Sequence, residues 1–164
     1  MNLLRLALPL FLLCFVATAL AAPDAQTSFA SLKSLNGTWT GKDMNGKPLQ
    51  VSFRVTANGS ALMSEINAGS EDMISMFHLD GNRIMLTHYC AAGNQPRMVA
   101  TASPDGKTVT FEFLDATGIT GSQAGHMQRM VLTMPDADHH TEEWDFLQAN
   151  GKQVKEVFNL QRMQ

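Results

Sequence analysis

Asn45-Gly46-Lys47-Pro48-Leu49-Gln50-Val51-Ser52-Phe53-Arg54-Val55-Thr56-Ala57-Asn58-Gly59 reads as one β-strand held between two turns. Leu49, Val51, Phe53 and Val55 alternate with Gln50, Ser52, Arg54 and Thr56, and a period of two sends the two sets to opposite faces of a pleated strand. Asn or Asp before Gly can adopt the positive φ angles of a type I′ hairpin turn, whose twist matches that of paired antiparallel strands. The same signal recurs at Asp80-Gly81, Asp105-Gly106 and Asn150-Gly151. Such punctuation predicts consecutive hairpins, and a meander that closes on itself leaves no edge exposed. The expected fold is therefore all-β, an antiparallel up-and-down β-barrel.

Outward from this stretch, further strands are expected over Gly37 to Met44, Ala61 to Asn67, Asp72 to Leu79, Asn82 to Cys90 and Arg97 to Ser103. Val109, Phe111 and Phe113 mark the next, followed by Met127 to Met134 beyond a glycine-rich loop, His140 to Leu147, and Val154 to Met163. That makes about ten strands. Helix is expected only near the start, where Phe29, Leu32 and Leu35 recur at three-residue spacing within Thr27 to Leu35, after a polar linker at Pro23 to Gln26.

The N-terminus reads as a secretory signal peptide over residues 1–21. Arg5 supplies a positive charge, Leu6 to Val16 is almost wholly apolar, and Ala19-Leu20-Ala21 is a small-x-small cleavage site. The apolar run is short for a membrane span, and no basic stop-transfer flank follows it. Cys14 follows Leu13 where a lipid-modified cysteine would follow a small residue. An exported, periplasmic or secreted chain is expected, with a linker and short helix at residues 22–35 and one barrel domain at 36–164. Removing Arg5 from twelve basic residues leaves eleven against fifteen acidic ones, a formal charge of −4. A mildly acidic chain without Lys/Arg clusters is a poor match for nucleic acid or an anionic membrane surface. Cys90 stands alone after cleavage, so the barrel must hold by packing, without a disulfide.

Several strands carry apolar residues on both faces. Ile84, Leu86 and Cys90 alternate with Met85 and Tyr89; Val131 and Thr133 alternate with Met130, Leu132 and Met134. A barrel of this size has room for a small molecule unless Met and Phe side chains plug it, and a filled core serving a structural or protein-binding role is the plain alternative.

Leu35-Asn36-Gly37-Thr38-Trp39 before the first strand, with Arg162 at the end of the last, resembles the calycins, the group of lipocalins and fatty-acid-binding proteins. The resemblance implies a Gly-x-Trp at the closed end of a barrel and a basic residue packed over the indole, so that Trp39 and Arg162 stitch first strand to last. The stretch from Met76 to Cys90, continuing through Gly93-Asn94-Gln95-Pro96-Arg97-Met98, is more specifically similar to secreted bacterial lipocalin-like domains of unknown function. This implies the barrel and no particular activity.

That stretch is also the candidate ligand site. His88, Tyr89, Cys90, Asn94, Gln95 and Arg97 gather polar groups at a hairpin end, with His88 and Cys90 on one face and Tyr89 on the other. If the shared face is internal, His88 and Arg97 could hold the polar or anionic head of a small apolar or amphipathic molecule. The alternative is that Asn94 and Gln95 serve the turn and that His88 and Arg97 satisfy their neighbours.

No metal site is expected from spacing: His139 and His140 diverge on a strand, and no compact His or Cys cluster occurs. A pair assembled across strands from His88 and His126 is the remaining arrangement. The resemblance to the nitrobindin branch of the barrel class implies haem, but beyond Gly37-x-Trp39-x-Gly41 its glycine-rich opening has no counterpart here, so no cofactor is expected and haem is the runner-up. Catalysis is not expected either. His88 and Cys90 are too widely spaced on a strand for a thiol–imidazole dyad, and Glu142, Glu143 and Asp145 read as solvated carboxylates. The reading is an exported small-molecule binder, monomeric or weakly dimeric.

Overall fold

The computed structural model describes residues 21–69, 71–121 and 124–164; the signal peptide reading lies outside them, apart from Ala21. Helix α1 (Ala25–Lys33) is followed by β1 (Gly37–Lys42), β2 (Pro48–Thr56), a 3-10 turn (Ala57–Gly59), β3 (Ala61–Ala68), β4 (Glu71–Asp80) and β5 (Arg83–Tyr89). Then come β6 (Gln95–Ala102), β7 (Thr108–Thr117), β8 (His126–Thr133), β9 (His139–Leu147) and β10 (Gln153–Arg162). Every strand pairs antiparallel with its sequence neighbours, and β1 also pairs with β10, so the ten strands form a closed barrel. No helix among the described residues is long and apolar enough to cross a membrane.

The helix begins two residues earlier than the spacing predicts, because Asp24 caps it: its carboxylate accepts the Thr27 amide at 2.7 Å. Phe29 and Leu32 face inward and are buried, so α1 seals one end of the barrel.

The hairpins form where expected but mostly with a different turn chemistry. Between β1 and β2 the Gly46 amide bonds the Asp43 carbonyl and the Asp43 amide bonds the Lys47 carbonyl, while Gly46 (φ 78°) has a positive φ and Asn45 does not. This is a type I turn closed by a left-handed glycine; equivalent bonds recur around Gly93 and Gly151, and around Gly106 the same turn is followed by a bond one residue longer, from the Ser103 amide to the Thr108 carbonyl. At Asp80-Gly81 the glycine is the first central residue, since Asp80 pairs with Arg83 and only Gly81 has positive φ, which makes a type II′ turn. At Asn58-Gly59 both residues do have positive φ, but Ala57 joins them in a longer turn. Type I′ geometry, expected at all five signals, gives way at the other four because an Asn or Asp outside the left-handed region avoids its strain and leaves that step to glycine alone.

Pleat parity then fixes the interior. Trp39, Leu49, Val51, Phe53, Leu62, Phe77, Leu86, Met98, Phe111 and Leu132 point inward and are buried. Phe77 meets Phe111 edge to face at 5.4 Å and Phe53 at 6.4 Å, filling the barrel on the side of α1. Each such ring contributes about 2–3 kcal/mol by leaving water.

The seam between β1 and β10 is tight. Trp39 pairs with Arg162, whose guanidinium carbon lies 4.1 Å from the indole centroid and whose nitrogens donate to the carbonyls of Ser34, Asn36 and Ala137, each at 2.9 Å. The Trp39 indole donates in turn to the Leu35 carbonyl at 2.8 Å. One arginine thus ties the first strand, the last strand and the chain behind α1. Gly41 allows the strands to approach, since a Cβ there would sit 2.1 Å from the Asn159 carbonyl oxygen.

Candidate functional site

The half of the barrel away from α1 is not filled. A cavity of about 780 Å³ opens between the β1–β2, β3–β4, β5–β6 and β9–β10 loops. Its walls are apolar, with Ile66, Met73, Met127, Trp144, Phe146 and Phe158 among them. His88 stands in the wall on β5 and Cys90 one pleat nearer the mouth.

His88 is fully buried, and its Nδ1 lies 2.9 Å from the Ser75 hydroxyl on the adjoining strand, where the two residues are in register. Its ring packs on Trp144 at 4.7 Å between centroids. Burial lowers its pKa to about 4, because a charged imidazole would be stripped of water with no carboxylate to balance it. The ring is therefore neutral at pH 7, and its Nε2 has no hydrogen-bond partner among the described residues. Burial likewise raises the Cys90 thiol, so it is a poor nucleophile.

The remaining expected site residues are placed elsewhere. Arg97 pairs in register with Thr87 and Asp115 on the outer face, and its guanidinium is committed to the Asp115 carboxylate with one bond at 2.6 Å. It does not share the mouth with His88. Tyr89 is outside too, opposite Ile74 and half exposed. Asn94 is buried and serves the turns: its amide donates to the Gly125 carbonyl at 2.8 Å, and its own backbone carbonyl accepts the Cys90 amide. Gln95 bonds Thr117 at 2.8 Å. His126 is not in the cavity wall; it stacks on Phe113 at 4.6 Å, and its Nδ1 meets the Ala124 carbonyl at 3.1 Å. Among the described residues no three His, Cys, Asp or Glu side chains converge as a metal-ligand group.

Beneath the cavity lies a polar network that sequence reasoning misses. Glu142, expected to be solvated, points inward and is fully buried, while Glu143 and Asp145 face outward and pair with Lys155. The Glu142 carboxylate accepts the Trp144 indole N–H at 3.0 Å and faces His140 Nε2 at 3.2 Å. His140 stacks edge-on against Trp39 at 4.3 Å. The wall indole of the cavity is thereby held by a carboxylate from below. Shared parity on β9 with Trp144 and Phe146 is the signal that could have revealed it.

Glu156 escapes the sequence in the same way. It sits on the inward row of β10 between Val154 and Phe158, opposite Trp144 in register, and lines the cavity. Among the described residues its carboxylate makes neither an ion pair nor a hydrogen bond within the protein. A lone carboxylate in an otherwise apolar inward row needs solvent or a ligand as its partner.

The barrel has a counterpart among solved structures. The crystal structure of Rv2717c from M. tuberculosis superposes with a TM-score of 0.61 at 15% sequence identity, covering 86% of this chain and 100% of that one. At this identity the likeness is one of fold. No family model matches the chain, and no curated protein does.

Proposed function

We propose that this is an exported binding protein that holds a small, largely apolar molecule with a polar end in the open half of its barrel. The observation that carries the reading is the apolar cavity of about 780 Å³ with the neutral, half-satisfied His88 in its wall. A void this large, lined by Met and aromatic side chains, leaves dispersion contacts unmade that a ligand would supply. The unpaired Nε2 lies buried at the wall beside Trp144, where a ligand that displaces its cover would meet one directional hydrogen-bonding group, and Met73 and Met127 can adapt to an irregular shape. Kinship with the calycins is supported by Arg162 lying over the indole of Gly37-x-Trp39.

Decan-1-ol titration followed by calorimetry tests the reading. One equivalent should bind with a negative heat-capacity change, and Met73→Trp, which puts an indole into the void, should abolish binding. Absence of binding to the unaltered protein, or full binding to Met73→Trp, would overturn it.

His88 also favours a second reading, in which the ligand is haem held through the uncommitted Nε2. The donor type fits, since haem iron is held by a neutral imidazole nitrogen and His88, at the apolar wall, would be the residue to hold it. Bound there, the group would supply redox or nitrogen-oxide chemistry, with His88 setting its position and the apolar walls excluding water. A Soret band that shifts on hemin addition to the unaltered protein, and does not shift in His88→Leu, would support this reading over the first.

A further inference from the structure

The rim of the cavity is acidic. Asp43, Glu71 and Glu156 line it against a single basic residue, Lys47, and no other Lys or Arg reaches the wall among the described residues. Asp43 is engaged by the Asn45 and Lys47 amides of its own turn, at 2.8 Å each. Glu71, the first residue of β4, and Glu156, the fourth of β10, occupy inward-parity positions and have no ion-pair partner among the described residues. Arg97, expected at the mouth to hold an anionic head, is tied to Asp115 on the outside. The rim carboxylates do not gather into a metal-ligand group, so a small inorganic cation is not what they are arranged for. Glu156 stands opposite Trp144 and beside Phe158, and aromatic faces attract organic cations as carboxylates do.

We propose that the ligand is a cationic amphiphile of the alkylammonium type, with its charged nitrogen at Glu156 and its chain among the apolar side chains below. This rests on the cavity being a small-molecule site and narrows the class of molecule it takes. An alkyl carboxylate of the same length would meet three like charges and one lysine.

Decylammonium, decan-1-ol and decanoate titrated at pH 7 by calorimetry differ only in the end group. Decylammonium should bind at least about tenfold more tightly than decanoate, as expected for a charge-assisted contact in a partly desolvated site. Glu156→Gln should weaken decylammonium about tenfold and leave decan-1-ol within about twofold. Since Glu156 makes no bond within the protein among the described residues, that variant keeps the fold. If decan-1-ol binds but the two ions bind equally, or Glu156→Gln leaves their ratio unchanged, the charge preference is overturned while the cavity reading stands. If decan-1-ol does not bind, the cavity reading is overturned and the charge preference that rests on it falls with it.

Discussion

Acidification should destabilise this barrel through one buried ring. In the folded protein His88 titrates at about 4, whereas in the unfolded chain it returns to its ordinary value of 6.5. Between these values the unfolded chain binds a proton that the folded chain refuses, so stability falls as pH drops from 6.5 towards 4 and levels off below. The whole separation corresponds to about 3 kcal/mol, and the part lost between pH 7 and pH 5 is about 2 kcal/mol. The Asp80, Asp105, Asp115 and Asp136 side chains are held below their usual range by hydrogen bonds, chiefly to Arg83, Ser103, Arg97 and the Asp138 amide respectively, and their effect falls at lower pH. Urea unfolding of the protein and of His88→Gln at pH 7 and pH 5 isolates the contribution of the imidazole. The amide that replaces it cannot be protonated, so the variant should lose about 2 kcal/mol less than the unaltered protein over the same interval. Equal losses would refute the claim that His88 is neutral and desolvated when folded, as would an NMR titration of its ring with a midpoint near its ordinary 6.5.

Arg162→Ala should cost about 2–4 kcal/mol in thermal or denaturant unfolding, because three carbonyls and an indole lose one shared partner; Arg162→Lys should recover less than half, since one ammonium cannot span Ser34, Asn36 and Ala137. Glu142→Leu should cost about 3 kcal/mol, as Trp144 and His140 are left facing an apolar group, while Glu142→Gln, which can still accept the indole N–H, should stay within about 1 kcal/mol by urea unfolding. Gly41→Ala should cost about 1–3 kcal/mol and weaken amide-exchange protection across the seam between β1 and β10, because the added methyl meets the Asn159 carbonyl.

The barrel is legible because two independent signals agree along the chain. Alternation such as Leu49 to Val55 names strands, and glycine at the left-handed step of each turn names where they reverse. The turn type is not legible: an Asn-Gly pair requires a left-handed glycine but is silent on whether Asn joins it, and only the strand register decides. Parity is the weaker guide to the site. Met85 and Val131 are buried although they lie on outward rows, so hydrophobicity does not distinguish the faces of β5 or β8. His88 and Arg97 are near in sequence, yet Arg97 is in register with Thr87, and that one-residue offset sends it outside. The general habit of carboxylates points Glu142 to solvent. Its burial depends on Trp144 and His140 arriving from the same strand face, which is a fact of packing and not of local sequence.

The pairing of Trp39 to Lys42 with Asn159 to Arg162 also has a kinetic meaning. Local hairpins can zip as the chain emerges, but the first strand must wait for the last before its second ladder exists, a loop closure spanning nearly the whole domain. Until β10 has joined, the sheet is a ribbon with two unsatisfied borders, open to pairing with other chains. Deleting the final few residues should therefore remove little mass and much solubility.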